Sequence, residues 1–181
     1  HALLEFGGAR TDLAPIAERL LTNPSIIGIA PLNQGEGLLI ANGQTASVAV
    51  LGVNPEQESE VSILPGLMTQ GNFVDLNQRR FSIILGSGVA SNLGVVPGDQ
   101  VTLLIPKATL SLAGVTPRLK RLKVAGIFEV GAQLDSQLAF VEISDASRLF
   151  NLGEGASALR LQFENLFDAP QLTRQIAQEV S

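Results

Sequence analysis

The chain has no cysteine, tryptophan or tyrosine, and its single histidine is His1. Disulfides, thiol catalysis and cysteine-based metal sites are therefore excluded. Absence of cysteine suits an oxidising compartment without requiring one. A histidine general base is available only at the terminus, so Ser-His-Asp chemistry has no support. The lack of Tyr and Trp stacking platforms, with a pI near 4.8 and a net charge of −5, argues against nucleic acid as a partner. No apolar run approaches the roughly 18 residues of a membrane span. The clean runs are of strand length, such as Leu38-Leu39-Ile40-Ala41 and Val101 to Ile105. No signal peptide is expected from His1 onward, and the chain reads as a domain cut from something larger. What is abundant is apolar content, 45% with a mean hydropathy of +0.29, and 181 residues are enough for one sizeable core or two small ones.

Positive charge is scarce but concentrated. Residues 107 to 123 hold five of the twelve Lys and Arg residues and no acid. At their centre Gly114-Val115-Thr116-Pro117 interrupts an otherwise strand-like segment, and Leu110, Leu112 and Val115 are apolar where a tight loop would be polar. Apolar residues at the end of an arm stay exposed unless a partner covers them. A purely structural reading, edge strands protected by lysine, leaves that apolar tip unexplained. The segment is expected to be a partner-binding arm. Its tip is Leu112, Ala113, Gly114, Val115, Thr116 and Pro117, and its basic stem is Arg118, Lys120 and Arg121.

Around this arm the pattern predicts an α+β domain made discontinuous by an insert. Residues 2–6 read as a strand, and Asp12 as the cap of a helix to about Thr22. Ile26–Ala30 and Leu38–Ala41 read as strands separated by a Gly35–Gly37 turn, and Asn42-Gly43 as a hairpin into Ala46–Val53. Glu56, Glu58 and Glu60 read as an extended, solvated connection after Asn54-Pro55, without the oxygen ligands of a calcium site. Strands are expected at Phe81–Leu85, Gln100–Ile105, Leu122–Phe128, Leu138–Ile143 and Ala158–Phe163. Ser144 or Asp145 is expected to cap a helix ended by Gly153, and Asp168 to cap a final helix carrying Leu172 and Ile176. Gly86-Ser87-Gly88 lacks the lysine of a phosphate loop and the frame of a nucleophile elbow, so it reads as a turn. Asp135 reads as an Asx-type loop residue and Asp99 as part of a turn. No catalytic residue, cofactor or metal ligand is assigned.

Several stretches together carry a family resemblance: Ile84-Leu85-Gly86-Ser87-Gly88-Val89-Ala90-Ser91-Asn92-Leu93-Gly94-Val95, Gly98-Asp99-Gln100-Val101, Val124-Ala125-Gly126-Ile127-Phe128, Gln133-Leu134-Asp135 and Asp145-Ala146-Ser147-Arg148-Leu149. In order and spacing they resemble the LolC/LolE family, membrane subunits of the ABC transporter that releases lipoproteins from the bacterial inner membrane. The Leu-Gly-x-x-x-Gly-Asp turn is shared with the wider group of MacB-like periplasmic domains. Val53-Asn54-Pro55 is LolE-like, and a LolE-like body with a LolC-like hook resembles the hybrid LolF type. The resemblance implies a periplasmic domain of an inner-membrane protein. It implies a porter-like βαβ body, residues 1–54 and 131–181, with an inserted strand-rich, sabre-like subdomain, 55–130, carrying a protruding β-hairpin at about 106–123. The implied partners are the soluble chaperone LolA at that hook, the lipoprotein substrate, a second membrane subunit as homodimer or LolC/LolE heterodimer, and a separate ATPase subunit. A small pad beside the hook would align with Thr102, Leu119 and Lys120, of which only Lys120 is charged. The alternative is a MacB- or FtsX-like force-transmitting domain of another ABC-type complex.

Overall fold

A computed structural model describes residues 2–111, 114–131, 133–165 and 176. Its strands are β1 (Ala2–Arg10), β2 (Ile26–Ala41), β3 (Gln44–Val53), β4 (Met68–Gln70), β5 (Ser82–Gly86), β6 (Gln100–Ser111), β7 (Gly114–Phe128), β8 (Leu138–Glu142) and β9 (Ala156–Phe163). The helices are α1 (Leu13–Leu21), α2 (Pro55–Val61), α3 (Ser87–Leu93) and α4 (Ile143–Phe150). The class is α+β, as the alternation of short strands and short amphipathic helices predicts.

All the strands join one sheet in the order β1-β9-β2-β3-β8-β5-β7-β4, and β6 bridges β7 back to β2. Strands β2, β3, β8, β5, β7 and β6 thus close a hydrogen-bonded circuit. Within it β3–β8 and β5–β7 are parallel and the other pairs antiparallel. Closure depends on the length of β2. Its first half, to Leu32, pairs with β9, and Leu38 to Ile40 pair with Leu104 to Thr102 of β6. Period-two alternation turns Val48 and Val50 of β3, Leu103 of β6 and Leu122 of β7 into one core, joined by Leu93 of α3 and Leu149 of α4. Strand β5 is buried at every residue. Ile83 and Leu85 face that core, and Ile84 faces a second one with Phe73, Phe128 and Phe140. There Phe140 meets Phe73 and Phe128 edge to face, at 5.6 and 5.5 Å between centroids. A third core packs Ile16 and Leu20 of α1 on Leu4, Leu159 and Leu161, with Ile176 buried against them.

Several local expectations change. Strand β2 does not turn at Gly35–Gly37. These glycines let other elements approach: a Cβ on Gly35 would stand 2.4 Å from the Phe150 ring, and one on Gly37 2.5 Å from Leu103. Residues 55–61 form helix α2 rather than an extended connection, because the Asn54 side chain accepts from the N–H groups of Glu56 and Gln57 and Pro55 fits the first turn. Asp12 does not cap α1 through its side chain; it pairs with Arg10 at 2.8 Å. Phe81 precedes β5 in the left-handed region, with φ 57°. Helix α4 starts two or three residues earlier than expected, capped by the Glu142 carboxylate, and ends at Asn151 with φ 53° rather than at Gly153. The Asn42-Gly43 hairpin forms as read, with positive φ at both residues and Ala41 opposite Gln44. The helix expected after Asp168, including Leu172, lies outside the described residues except for Ile176.

Candidate functional site

The basic segment folds as the return of a hairpin. Its root is a regular antiparallel ladder from Gln100 opposite Lys123 to Ile105 opposite Arg118. The register then shifts, and pairing resumes at Thr109–Thr116, Leu110–Val115 and Ser111–Gly114. The shift places Pro117 opposite residues 106 to 108, and Pro106 begins that stretch. Two prolines at one level remove two ladder donors, which accounts for the break there. The hairpin is therefore an anchored root and an outer arm joined at a proline step.

This geometry redistributes the expected site. Gly114, Val115 and Thr116 are strand residues of the outer arm, not a turn. Leu112 and Ala113, expected at the tip, lie outside the described residues. Pro117 is exposed and sits at the base of the arm. The basic stem divides by strand alternation. Arg118 and Lys120 share the face of buried Leu122, whereas Arg121 shares the opposite face with Leu119, which is 60% exposed. Of the pad positions, Thr102 lies opposite Arg121, and Leu119 opposite Leu104, while Lys120 lies opposite Leu103 on the other face. The three pad positions do not form one surface.

Sequence reasoning missed what Lys120 meets. Its Nζ stands 3.9 Å from the centroid of the Phe81 ring, with the Arg80 guanidinium 5.6 Å from the same ring. Arg118 donates to the Arg148 carbonyl of α4 at 3.2 Å, where a cation also complements the helix end. The signal lay in Arg79-Arg80-Phe81 and Arg148, far from the hairpin in sequence.

The remaining motifs are structural. Gly86 and Gly88 accommodate the turn at Asp135 and Ser136: a Cβ on Gly86 would lie 2.3 Å from the Asp135 carbonyl oxygen. The Asp135 carboxylate accepts from the Val130 and Gly131 N–H groups at 2.7 and 3.0 Å, so it ties back to the end of β7 and is not the forward-reaching Asx turn expected. Asp99 accepts from Val96 N–H at 2.9 Å and closes its turn. Among the described residues no group of three or more His, Cys, Asp or Glu could hold a metal ion.

The acidic run is a helix and not an extended segment. In a helix Glu56 and Glu60 share the solvent face and Glu58 turns inward. Glu58 is 0% exposed and its Oε1 accepts from Nη1 of Arg160 on β9; among the described residues its Oε2 has no hydrogen-bond partner. Burial pushes the Glu58 carboxyl above its ordinary value of 4.5, and the Arg160 charge opposes that rise. A folded pKa above the unfolded one gives stability that is present at low pH and lost as pH rises through the folded value. Relative to Glu58→Gln, the wild type is therefore expected to gain stability as pH falls from neutral toward 4.5. Urea midpoints of both proteins at two pH values check this; a gap that narrows on acidification contradicts it.

The described residues thus form an α+β arrangement, a strand circuit with helices packed against it and a long β6–β7 hairpin. The sequence matches the MacB-like periplasmic core domain over residues 5–179, and the chain belongs to that family. It is 36% identical over 155 residues to the lipoprotein-releasing system transmembrane protein LolC of Neisseria meningitidis serogroup B, covering 85% of this chain and 37% of that protein. It is 28% identical over 174 residues to LolE of Haemophilus influenzae, covering 87% of this chain and 40% of that protein. The chain thus spans about two fifths of the length of these relatives. In structure it resembles the periplasmic region of MacB from Actinobacillus actinomycetemcomitans, with a TM-score of 0.57 at 12% identity over 98% of this chain and 80% of that one. Among the described residues no helix is long and apolar enough to cross a membrane.

Proposed function

We propose that this domain is the periplasmic docking element of a lipoprotein-releasing ABC transporter, and that its hairpin recruits the soluble carrier chaperone LolA. The observation that carries this reading is the β6–β7 hairpin, whose root is locked into the strand circuit while its arm extends past the Pro106–Pro117 step. The arm's apolar residues, Leu112 and Val115 among them, would enter an apolar recess of the chaperone. Burial there contributes roughly 25 cal/mol per Å² before association costs. The cations of the root would speed encounter with an acidic partner, acting within a Debye length of about 8–10 Å. Lipoprotein substrate, a second membrane subunit and a separate ATPase subunit complete the machine, and this domain performs no catalysis in it. Residues 55–130 would move as the unit carrying the hairpin, with 1–54 and 131–181 as the body that transmits the stroke.

The test is a pull-down of the chaperone by the wild type and by Pro117→Asp and Gly114→Asp. Folded variants are expected to lose retention at low and high salt alike; undiminished capture would remove the hook assignment. The likeness to MacB favours one rival, a force-transmitting domain that contacts another subunit of its complex. That rival predicts no chaperone capture by the wild type.

A further inference from the structure

The edge of β2 that faces away from β3 is paired at both ends and open in the middle. Strand β9 covers it as far as Leu32, and β6 covers Leu38 to Ile40. Ala41 and Gln44 close a two-residue hairpin, so every second residue back from Ala41 bonds to β3 and those between face the other edge. Leu38 and Ile40 direct their main-chain groups to β6. Gln34 and Glu36 direct theirs into the gap, where among the described residues no backbone group pairs with them. A cavity of about 500 Å³ adjoins the gap, lined among others by Gln34, Gly35, Glu36, Ile105, Pro106 and Phe150.

The register of β6 fits this gap. Its pairs with β2 run Ile40–Thr102, Leu39–Leu103 and Leu38–Leu104, and the same count continues to Glu36 opposite Pro106 and Gln34 opposite Ala108. The ladder stops where proline arrives, because Pro106 has no N–H to give the Glu36 carbonyl. Beyond that point β6 carries slack. Between Ile105 and Thr109 it has three residues where β7 has only Pro117, so residues 106–108 lack a regular partner on that side as well. An excess of this kind lets the stretch shift while the ladders of root and outer arm stay intact.

We propose that residues 106–108 of β6 are a strap with a second position on the open edge of β2. In it Gln34 pairs with Ala108, the slot beside Phe150 closes, and the outer arm is drawn in and withdrawn from its partner. Two hydrogen-bonded pairs offer four bonds and Pro106 forfeits one, leaving three: Glu36 N–H to the Pro106 carbonyl, and both bonds between Gln34 and Ala108. The missing bond keeps closure reversible. Closing also takes from water the surface that half-buried Phe150 and Leu152 leave open. An uncovered strand edge invites pairing, and here the segment that covers it is already attached, directly past the break. The strap goes beyond the docking reading; only its effect on the partner rests on that reading.

The chain has no cysteine, so an introduced pair reports without background. Hydrogen-bonded antiparallel residues stand about 5.5 Å apart at Cα, within disulfide reach. Gln34→Cys/Ala108→Cys, oxidised with diamide, is expected to close within one chain. Gln34→Cys/Thr116→Cys, whose second site lies on β7 one strand farther off, is expected to stay reduced. Closure should slow hydrogen exchange of the amides at 34 and 36 about tenfold relative to the reduced form. Thiols that stay reduced in the folded chain, or equal exchange in both forms, overturn the strap. Bridges formed only between two chains assign the edge to a second copy and overturn it too. The closed form should capture about tenfold less chaperone and recover on reduction. Undiminished capture by the closed form overturns the withdrawal of the arm. Absence of capture even by the wild type sinks the docking reading alone, since the bridge and the slowed exchange still support the strap. If the cysteine pair unfolds the chain, Ala108→Pro makes the comparison by removing the donor to the Gln34 carbonyl. Exchange at Gln34 and Glu36 should then be about tenfold faster than in the wild type, and equal exchange overturns the proposal.

Discussion

Arg160→Ala is expected to destabilise the domain by about 3–5 kcal/mol, the cost of leaving a buried charge without its partner. Glu58 has no exposure and one unpartnered oxygen, and the Ser62 side chain that also favours its charged form carries no charge to replace the lost guanidinium. The Arg160 side chain is itself only 16% exposed, which limits the water that could enter in its place. In a chain of this length the melting midpoint should fall by roughly 6–20 °C. The double variant Glu58→Leu/Arg160→Met should recover most of the loss, since an apolar pair of similar volume avoids both desolvation costs. Denaturant melts of the single and double variants measure this. A single variant within about 1 kcal/mol of wild type would mean that the pair does not bear on stability.

Asn33→Ala should cost about 2–4 kcal/mol, because one buried amide replaces a stretch of missing ladder. Asn33 is 0% exposed and follows the last β2–β9 pair, Leu32–Ala158. Its Oδ1 accepts from Ser157 N–H at 2.8 Å, and its Nδ2 donates to the Ser147 hydroxyl at 2.8 Å and the Gly155 carbonyl at 3.1 Å. The side chain thus ties β2, β9 and α4 together where the backbone ladder stops. Asn33→Asp is the sharper version: it keeps the acceptor but turns a second oxygen toward the Gly155 carbonyl, so it should destabilise at least as much as alanine at neutral pH. Hydrogen exchange should show faster opening of α4 and the start of β9 in both variants. Loss spread evenly over the whole domain would instead indicate a general packing effect.

The contrast between these sites and the hairpin explains how much of the molecule could be read from residues alone. Strands with clean alternation, such as Gln44–Val53, and turns with a specific backbone demand, such as Asn42-Gly43, were legible because the signal is local. The hairpin's location and its concentration of charge were legible for the same reason. Glu56-Gln57-Glu58-Ser59-Glu60 was not. Its period-two acids mimic a polar strand, and only the Asn54 cap with Pro55 marked a helix that would turn Glu58 inward. Gly35 and Gly37 carried a turn signature, but their role is to clear space for Phe150 and Leu103, which depends on tertiary neighbours. Arg118, Lys120 and Arg121 looked like one basic stem in one dimension. Once the segment is a strand, its pleat sends Arg121 to the other side, and the cations that join Lys120 arrive from Arg80 and Arg148.

The strand circuit also decides how the arm responds to load. At its root, β6 is held by β7 on one edge and by β2 on the other, while β7 is held by β5 as well. A pull along the hairpin axis therefore strains several ladders together in shear, so no single hydrogen bond is peeled at a time. Tension reaching the root is thus shared among the β6–β7, β2–β6 and β5–β7 ladders, and the point with fewest ladder bonds along that line is the proline step, not the anchorage.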